Sequence, residues 1–290
     1  MTTATRFYHP NPSKPDWDLP PGACDTHCHV FGPVDQFSYA VDRTYTPSSD
    51  APREALFALH KHLGIDRCVI VQAGCHGFDN SVVAAAINVG APNYLGIGLA
   101  PVDTPVAKLR EMRERGFRGI RFNFMRHLGV GASPAEVYEF CGHLADADMH
   151  LQIHMEAELL GEVLPIFKDV PIPVVVDHIG RVDAGKGIEH EDFSHLLRFM
   201  DNEHGWVKVS GCDRISMQQI GYEDAIGFAA KLVQDFPDRS LWGTDWPHPN
   251  ISKPVPDDGY LASLIQKFAP TPEKQVALLV DNPSRLYAFN

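Results

Sequence analysis

Short runs rich in Val, Ile and Leu alternate along nearly the whole chain with longer segments in which apolar residues recur every three or four positions. The short runs predict strands over 23–30 (ACDTHCHV), 68–72 (CVIVQ), 94–99 (YLGIGL), 119–124 (GIRFNF), 150–155 (HLQIHM), 173–178 (PVVVDH), 207–211 (VKVSG) and 240–244 (SLWGT). The longer segments predict helices over 53–63, 80–90, 104–115, 134–147, 157–168, 191–203, 223–235 and 258–268, with a last one over 272–280. Strands that are apolar on both faces and separated by helices form a parallel sheet covered on both sides. Eight such units predict an α/β fold, a (β/α)8 TIM-type barrel, with an open doubly wound sheet as the alternative. No G-x-G-x-x-G turn follows the first strand, which removes the usual dinucleotide site.

No repeat and no linker interrupts the pattern, so residues 1–290 read as one barrel domain. Its polar, proline-rich start (1–22) is an extended arm crossing the surface. After the last helix, "DNPSRLYAFN" reads as a closing tail packed on the barrel. The formal net charge of −12 argues against nucleic-acid and membrane-surface partners, both of which favour a basic face. A small anionic substrate remains compatible, since a few local arginines suffice to hold one. No run of 18 apolar residues exists to span a bilayer. Six cysteines without a C-x-x-C pair read as buried reduced thiols of a cytoplasmic protein. The sequence assigns no oligomeric state.

In a barrel of this kind the reactive residues gather where the strands end. The first strand ends in "DTHCHVFG", with His27 and His29 on one face and Asp25 one step earlier on that face by the period of two. The second is followed by His76. The fourth carries Arg121 and Asn123 and leads to Arg126 and His127. The fifth ends in His154 and Glu156, and the sixth in Asp177, His178 and Arg181. "GCDR" with Arg214 follows the seventh, and "GTDWPHPN" with Asp245, His248 and Asn250 ends the eighth. Each has a plain structural reading alone: a cap for Asp245, a core imidazole for His178. Their recurrence at one end of nearly every strand needs a common cause. Imidazoles and a carboxylate are suitable ligands for zinc or another first-row divalent metal. A site so built would polarise a carbonyl and activate water, with Asp245 as the proton acceptor and His178 orienting the water or polarising the carbonyl. Arg121 and Arg214 would clamp anionic groups of the substrate. His60, His62, His143, His150, His190 and His204 lie on helical faces or away from strand ends and take no functional role.

Together "DTHCHVFG", "VDHIGR" and "WGTDWPHPN", with "VQAGCHGFDN", "GIRFNF" and "NPSRLY", resemble the amidohydrolase superfamily, in particular its 2-pyrone-4,6-dicarboxylate lactonase branch, from about Pro20 to Tyr287. The resemblance implies a barrel that opens the internal ester of a small, multiply anionic ring in bacterial breakdown of aromatic compounds. It carries a catalytic role onto Asp245, with His27, His29 and His178 at the reacting carbonyl. Anion binding falls to Arg121 and Arg214, and substrate-wall roles to Tyr45, His76 and Asn250, with His127 a further substrate contact. Three positions depart from that branch: His154 stands in place of a tyrosine, His127 of an arginine and Gly74 of a serine. The branch implies no tightly bound metal, whereas His154 extends a ligand set of His27, His29, His178 and Asp245 for one divalent ion, zinc or manganese. The expectation is a lactone hydrolase acting on a small anionic lactone of the 2-pyrone-4,6-dicarboxylate type. Alternatives are a metal-dependent 4-sulfomuconolactone hydrolase, a non-oxidative decarboxylase on the same fold, and a non-catalytic binding protein.

Overall fold

The structure, a computed structural model, describes residues 8–43, 45–125 and 131–289. Eight parallel strands follow one another in sequence order: β1 (Cys24–Cys28), β2 (Arg67–Val71), β3 (Tyr94–Gly98), β4 (Phe117–Phe124), β5 (His150–Met155), β6 (Val174–Val176), β7 (Gly205–Lys208) and β8 (Ser240–Leu241). All eight fall on the predicted runs, and the order is that of a (β/α)8 barrel. Closure comes just past β8, where Thr26 N donates to the Trp242 carbonyl (2.9 Å), Asp245 N to His27 O (2.7 Å) and His29 N to Trp246 O (2.7 Å). These bonds explain why β8 is two residues long. The chain beyond it leaves regular strand geometry yet still stitches "THCH" to "GTDW", two segments more than 200 residues apart.

Strand side chains divide by the period of two. Val69 and Val71 join Cys24, Ile97, Val175 and Leu241 in an inner cluster on which Tyr287 packs, whereas Cys68 and Ile70 join the larger cluster beneath the helices. The main helices are α1 (Arg53–Leu63), α2 (Ser81–Gly90), α3 (Val106–Glu114), α4 (Pro134–Asp146), α5 (Leu160–Val163), α6 (Glu191–Met200), α7 (Cys212–Ile215) and α8 (Glu223–Asp235). α1 forms because Leu56, Leu59, His60 and Leu63 fall on one buried face at helical spacing, and it stops at Gly64, whose φ of 81° is left-handed. α4 begins with a reciprocal bond pair between Ser133 and Glu136.

Two predicted helices are broken. Residues 157–168 form 3₁₀ turns on either side of the short α5, because Pro165 has no N–H to continue the ladder. Residues 258–268 split into α9 (Asp258–Ser263) and α10 (Ile265–Phe268). Past α11 (Pro272–Val276) and one wider turn, the segment read as a closing tail is helical, α12 (Asn282–Tyr287), with Tyr287 buried against the strands' starting end. The arm's described residues run along the outside, with Ser13 N bonded to Asp257 Oδ1 (2.9 Å) and Trp17 Nε1 to Ala262 O (3.1 Å). Among the described residues no helix is long and apolar enough to cross a membrane.

Candidate active site

A cavity of about 110 Å³ opens where the strands end, lined by His29, Arg121, His154, His178, Arg214 and Asp245, with Tyr45, Gly74, Asn123, Arg181 and Asn250 around them. Its centre is Asp245. Oδ2 is pinned by Arg214, 2.6 Å from both Nε and Nη2, while Arg214 Nη1 donates to Pro249 O (2.9 Å). Oδ1 faces three imidazoles: His29 Nε2 at 3.5 Å, His178 Nε2 at 3.7 Å and His27 Nε2 at 3.8 Å. Those distances exceed a charge-assisted hydrogen bond, so Oδ1 is the carboxylate edge turned to the reacting space. Burial pushes the Asp245 carboxyl up, but Arg214 and then His178 outweigh it and hold it well below the usual carboxylate range. Asp245 is therefore ionised throughout the neutral range.

His27, His178 and His154 are neutral. Burial pulls His27 down to about 3 against the opposing pull of Asp177, with Lys208 adding to the decrease. Burial likewise drives His178 well below its ordinary value despite Asp245, and His154 further down with help from Arg121 and Arg181. Behind the rings, His29 Nδ1 meets Val71 O (2.8 Å), His178 Nδ1 meets Ser210 Oγ (3.0 Å) and His154 Nδ1 meets Asn123 Oδ1 (3.1 Å).

Local backbone geometry aims these groups. Among the described residues, six of the nine non-glycine residues with positive φ lie in the loops after β6 and β8: His178, Ile179, Arg181, Asp245, His248 and Asn250. Such conformations concentrate at sites where a side chain must be aimed against backbone preference. Gly211 is required beside them: its φ is 82°, and a Cβ there would stand 2.9 Å from His178 Cβ.

Arg121 and Arg214 both line the cavity, and each is also held by a carboxylate. Arg214 is committed to Asp245, and Arg121 Nε to Asp177 Oδ2 (2.8 Å). Arg181, quoted in the "VDHIGR" motif but given no role, lines the cavity and makes no hydrogen bond or ion pair among the described residues. Burial, then the Arg214 guanidinium, lowers it to about 10, still charged. Arg181 is only half-buried and feels the Asp245 and Asp213 carboxylates, yet its donors remain open to an arriving anion. The sequence carried the residue but not its lack of a partner.

Asp25 corrects another expectation. The β1–β2 register shifts between Asp25 and Cys28, and Asp25 Oδ1 takes the His27 N–H (3.0 Å). That slip breaks the period of two, so Asp25 leaves the pocket face. Its carboxylate bonds Thr244 N (3.1 Å), Thr244 Oγ1 (2.6 Å) and His60 Nε2 (3.2 Å) of α1 in the barrel wall. His76 does not line the cavity: its Nδ1 stands 3.0 Å from Ser38 O and its ring packs on Tyr39. His127 lies outside the described residues. Below the cavity floor, Lys208, Gln152 and Asp177 form a buried polar network that sequence reasoning passed over. A lysine between two valines in a predicted strand was its visible sign.

For a metal, the tight donor set is narrower than predicted: His27, His178 and Asp245 bring ligand atoms within 4.8 Å of one another. His29 stands at its edge and His154 farther off, its ring 5.6 Å from that of His178. Nε2 of His27 and of His154 are buried without a partner, so donor chemistry and unsatisfied atoms together fit a divalent ion. A second group, Cys28, His60 and Cys68, lies in the wall, where His60 already bonds Asp25 and Tyr94.

The family model described as Amidohydrolase matches residues 24–289. The chain belongs to the amidohydrolase family. The 2-pyrone-4,6-dicarboxylate hydrolase of Comamonas testosteroni is 44% identical to this amidohydrolase over 97% of the chain and 94% of the relative. The 4-sulfomuconolactone hydrolase of Hydrogenophaga intermedia is 38% identical over 97% and 92%. Among solved structures, a probable 2-pyrone-4,6-dicarboxylic acid hydrolase from Acinetobacter baumannii, with citric acid bound, superposes with a TM-score of 0.81 at 25% identity, covering 92% of this chain and all of that one.

Proposed function

We propose that this amidohydrolase opens the ring of a small lactone bearing at least two anionic groups, of the 2-pyrone-4,6-dicarboxylate type. The observation that carries the reading is the meeting, in one cavity, of an ionised Asp245 edge, neutral imidazoles and the unpaired Arg181 guanidinium. Arg181 binds an anionic group of the ring, and the positive field of Arg121 and Arg214 supports a second. The relatives named for doubly anionic lactones, and the citric acid held by the Acinetobacter protein, agree with that preference.

In the reaction Asp245 Oδ1 takes a proton from water as the water oxygen bonds to the lactone carbonyl carbon. Arg214 holds Oδ2, which fixes the direction of Oδ1 and keeps the carboxylate ionised. His27 and His178 stabilise the charge growing on the carbonyl oxygen, and Tyr45 and Asn250 form the wall. The carbon–ring-oxygen bond then breaks, and the leaving oxygen recovers the proton from Asp245, giving a carboxylate and a hydroxyl or enol. His27, His178 and Asp245, with His29 and His154 behind them, are the residues that would hold a zinc or manganese ion. Bound there, such an ion polarises the carbonyl and acidifies water. A cytoplasmic setting belongs to the same reading, since all six cysteines are buried free thiols.

The test is turnover of a lactone panel (2-pyrone-4,6-dicarboxylate, 4-sulfomuconolactone and singly charged analogues) with metal content measured before and after chelation. Ring-opened acid from the doubly anionic members supports the reading. Release of carbon dioxide from an unsaturated acid, or no turnover in either metal state, would overturn it.

A further inference from the structure

His27 and His29 are two residues apart, yet behind their rings they face opposite kinds of group. The partner of His29 Nδ1 is a carbonyl, Val71 O at 2.8 Å, which only accepts. In its neutral form His29 therefore carries the proton on Nδ1 and turns an Nε2 lone pair to the cavity. The partner of His27 Nδ1 is the ammonium of Lys208, Nζ at 3.2 Å, which only donates. Nδ1 of His27 must accept, so its proton sits on Nε2, the buried atom facing Asp245 that has no hydrogen-bond partner among the described residues.

We propose that Lys208 is a positioning residue that, in the metal-free protein, holds His27 as the Nε2–H tautomer, so that the β1 pair offers one donor and one acceptor to the reaction; an ion held by His27 Nε2 would have to displace that proton. His27 Nε2–H then donates to the oxygen that gains charge, while His29 Nε2 accepts from the attacking water. The assignment of those two tasks rests on the hydrolase reading above; the tautomers do not.

The geometry around Lys208 leaves it little else to do. Lys208 is fully buried in β7, and Nζ is fixed by Thr26 O (2.8 Å) and Gln152 Oε1 (2.9 Å), leaving its third proton between His27 Nδ1 at 3.2 Å and Asp177 Oδ1 at 3.6 Å, the nearer being His27. The competing acceptor is Asp177. Its Oδ1 stands 3.1 Å from His27 Nδ1 but makes no hydrogen bond of acceptable geometry there, while Oδ2 is occupied by Arg121 Nε (2.8 Å) and Gln152 Nε2 (3.1 Å). Without Lys208, Asp177 Oδ1 becomes the natural acceptor for an Nδ1–H, and the ring presents a lone pair where the carbonyl oxygen needs a donor. The cation behind a neutral imidazole is thus the converse of a carboxylate behind one, favouring a ring that gives a hydrogen bond over a ring that takes a proton.

The experiment is nitrogen NMR of the full chain, stripped of metal and labelled with 15N-histidine, His27 being assigned by loss of its signals in His27→Gln. The expected spectrum shows His27 with an unprotonated Nδ1 and a protonated Nε2, and His29 with the reverse. In Lys208→Met the His27 pattern inverts, and kcat falls about a hundredfold with KM little changed; Lys208→Arg restores part of both. A protonated His27 Nδ1 in the unmodified protein, or an unchanged pattern in a folded Lys208→Met, would overturn the proposal. If Lys208→Met does not fold, the spectrum of the unmodified protein decides. The expected tautomers in a protein that opens no lactone would overturn the hydrolase reading and leave this one standing.

Discussion

His27 and His60 lie on opposite sides of β1, each fully buried and each beside an aspartate, and they end in opposite charge states. His27 is brought down to about 3, whereas His60 is raised to about 9. Burial opposes the charged form at both. What differs is the company: the carboxylate near His27, Asp177, is shared with Arg121 and Lys208, while Asp25 faces His60 with the Cys28 thiol and no competing cation among the causes. A buried imidazole follows the net charge of its neighbours rather than its depth. The inner cluster accordingly keeps neutral rings for chemistry, and the wall keeps an ion pair for structure.

The largest expected effect tests the two aspartates against each other. Asp245→Asn should lower lactone turnover of the folded fraction by about three orders of magnitude, and it should also cost stability by stranding Arg214. Asp25→Asn should cost about 3 kcal/mol of stability by stranding His60, with kcat of the folded fraction within a few-fold. Comparable losses of turnover in both would erase the distinction between site and wall.

Next in size is Arg181→Met. KM for a doubly anionic lactone should rise about a hundredfold, and less for a singly charged analogue. Because the residue is half-buried and makes no hydrogen bond or ion pair among the described residues, the same variant should melt no lower than the parent, as expected where function opposes stability. A lower melting temperature would show that Arg181 serves the fold instead.

The smallest effect is the pH dependence of unfolding. His27, with His150 also lowered to about 3, binds protons more readily in the unfolded chain, so stability is lost as pH falls from 6.5 towards 3. His60 binds more tightly in the fold, so its contribution is complete below 6.5 and is lost as pH rises towards 9. Each limb has a slope of at most about 1.4 kcal/mol per pH unit and proton. Above about 8, Lys208, lowered to that value by burial, begins to oppose the alkaline loss. Urea midpoints should therefore peak near pH 6.5, and His60→Gln should flatten the span from 6.5 to 8. An unchanged span in that variant would mean that His60 is neutral in the fold.

Much of this was legible in the chain. Near-continuous Val/Ile runs in β2, β5 and β6 admit one buried environment, a strand covered on both faces, and Leu56, Leu59 and Leu63 on one stripe define α1 as surely. Histidines and aspartates at successive strand ends marked the site, because a barrel brings those ends together. Less legible were features that depend on a partner distant in sequence. The carboxylates that hold Arg121 and Arg214 were not legible in the chain, and Arg181 stood out only once it proved to have no hydrogen bond or ion pair among the described residues. Asp25 changed faces through a register slip that no periodicity records.

Local pattern by itself determined the element types, their order and the residues available for chemistry, since each follows from spacing within one turn or one strand. Only the tertiary structure decided which charges cancel, which guanidinium stays open and where the protons of His27 and His29 reside. Those are set by through-space neighbours a few ångströms away and scores of residues distant, such as Lys208 behind His27 and Asp25 against His60.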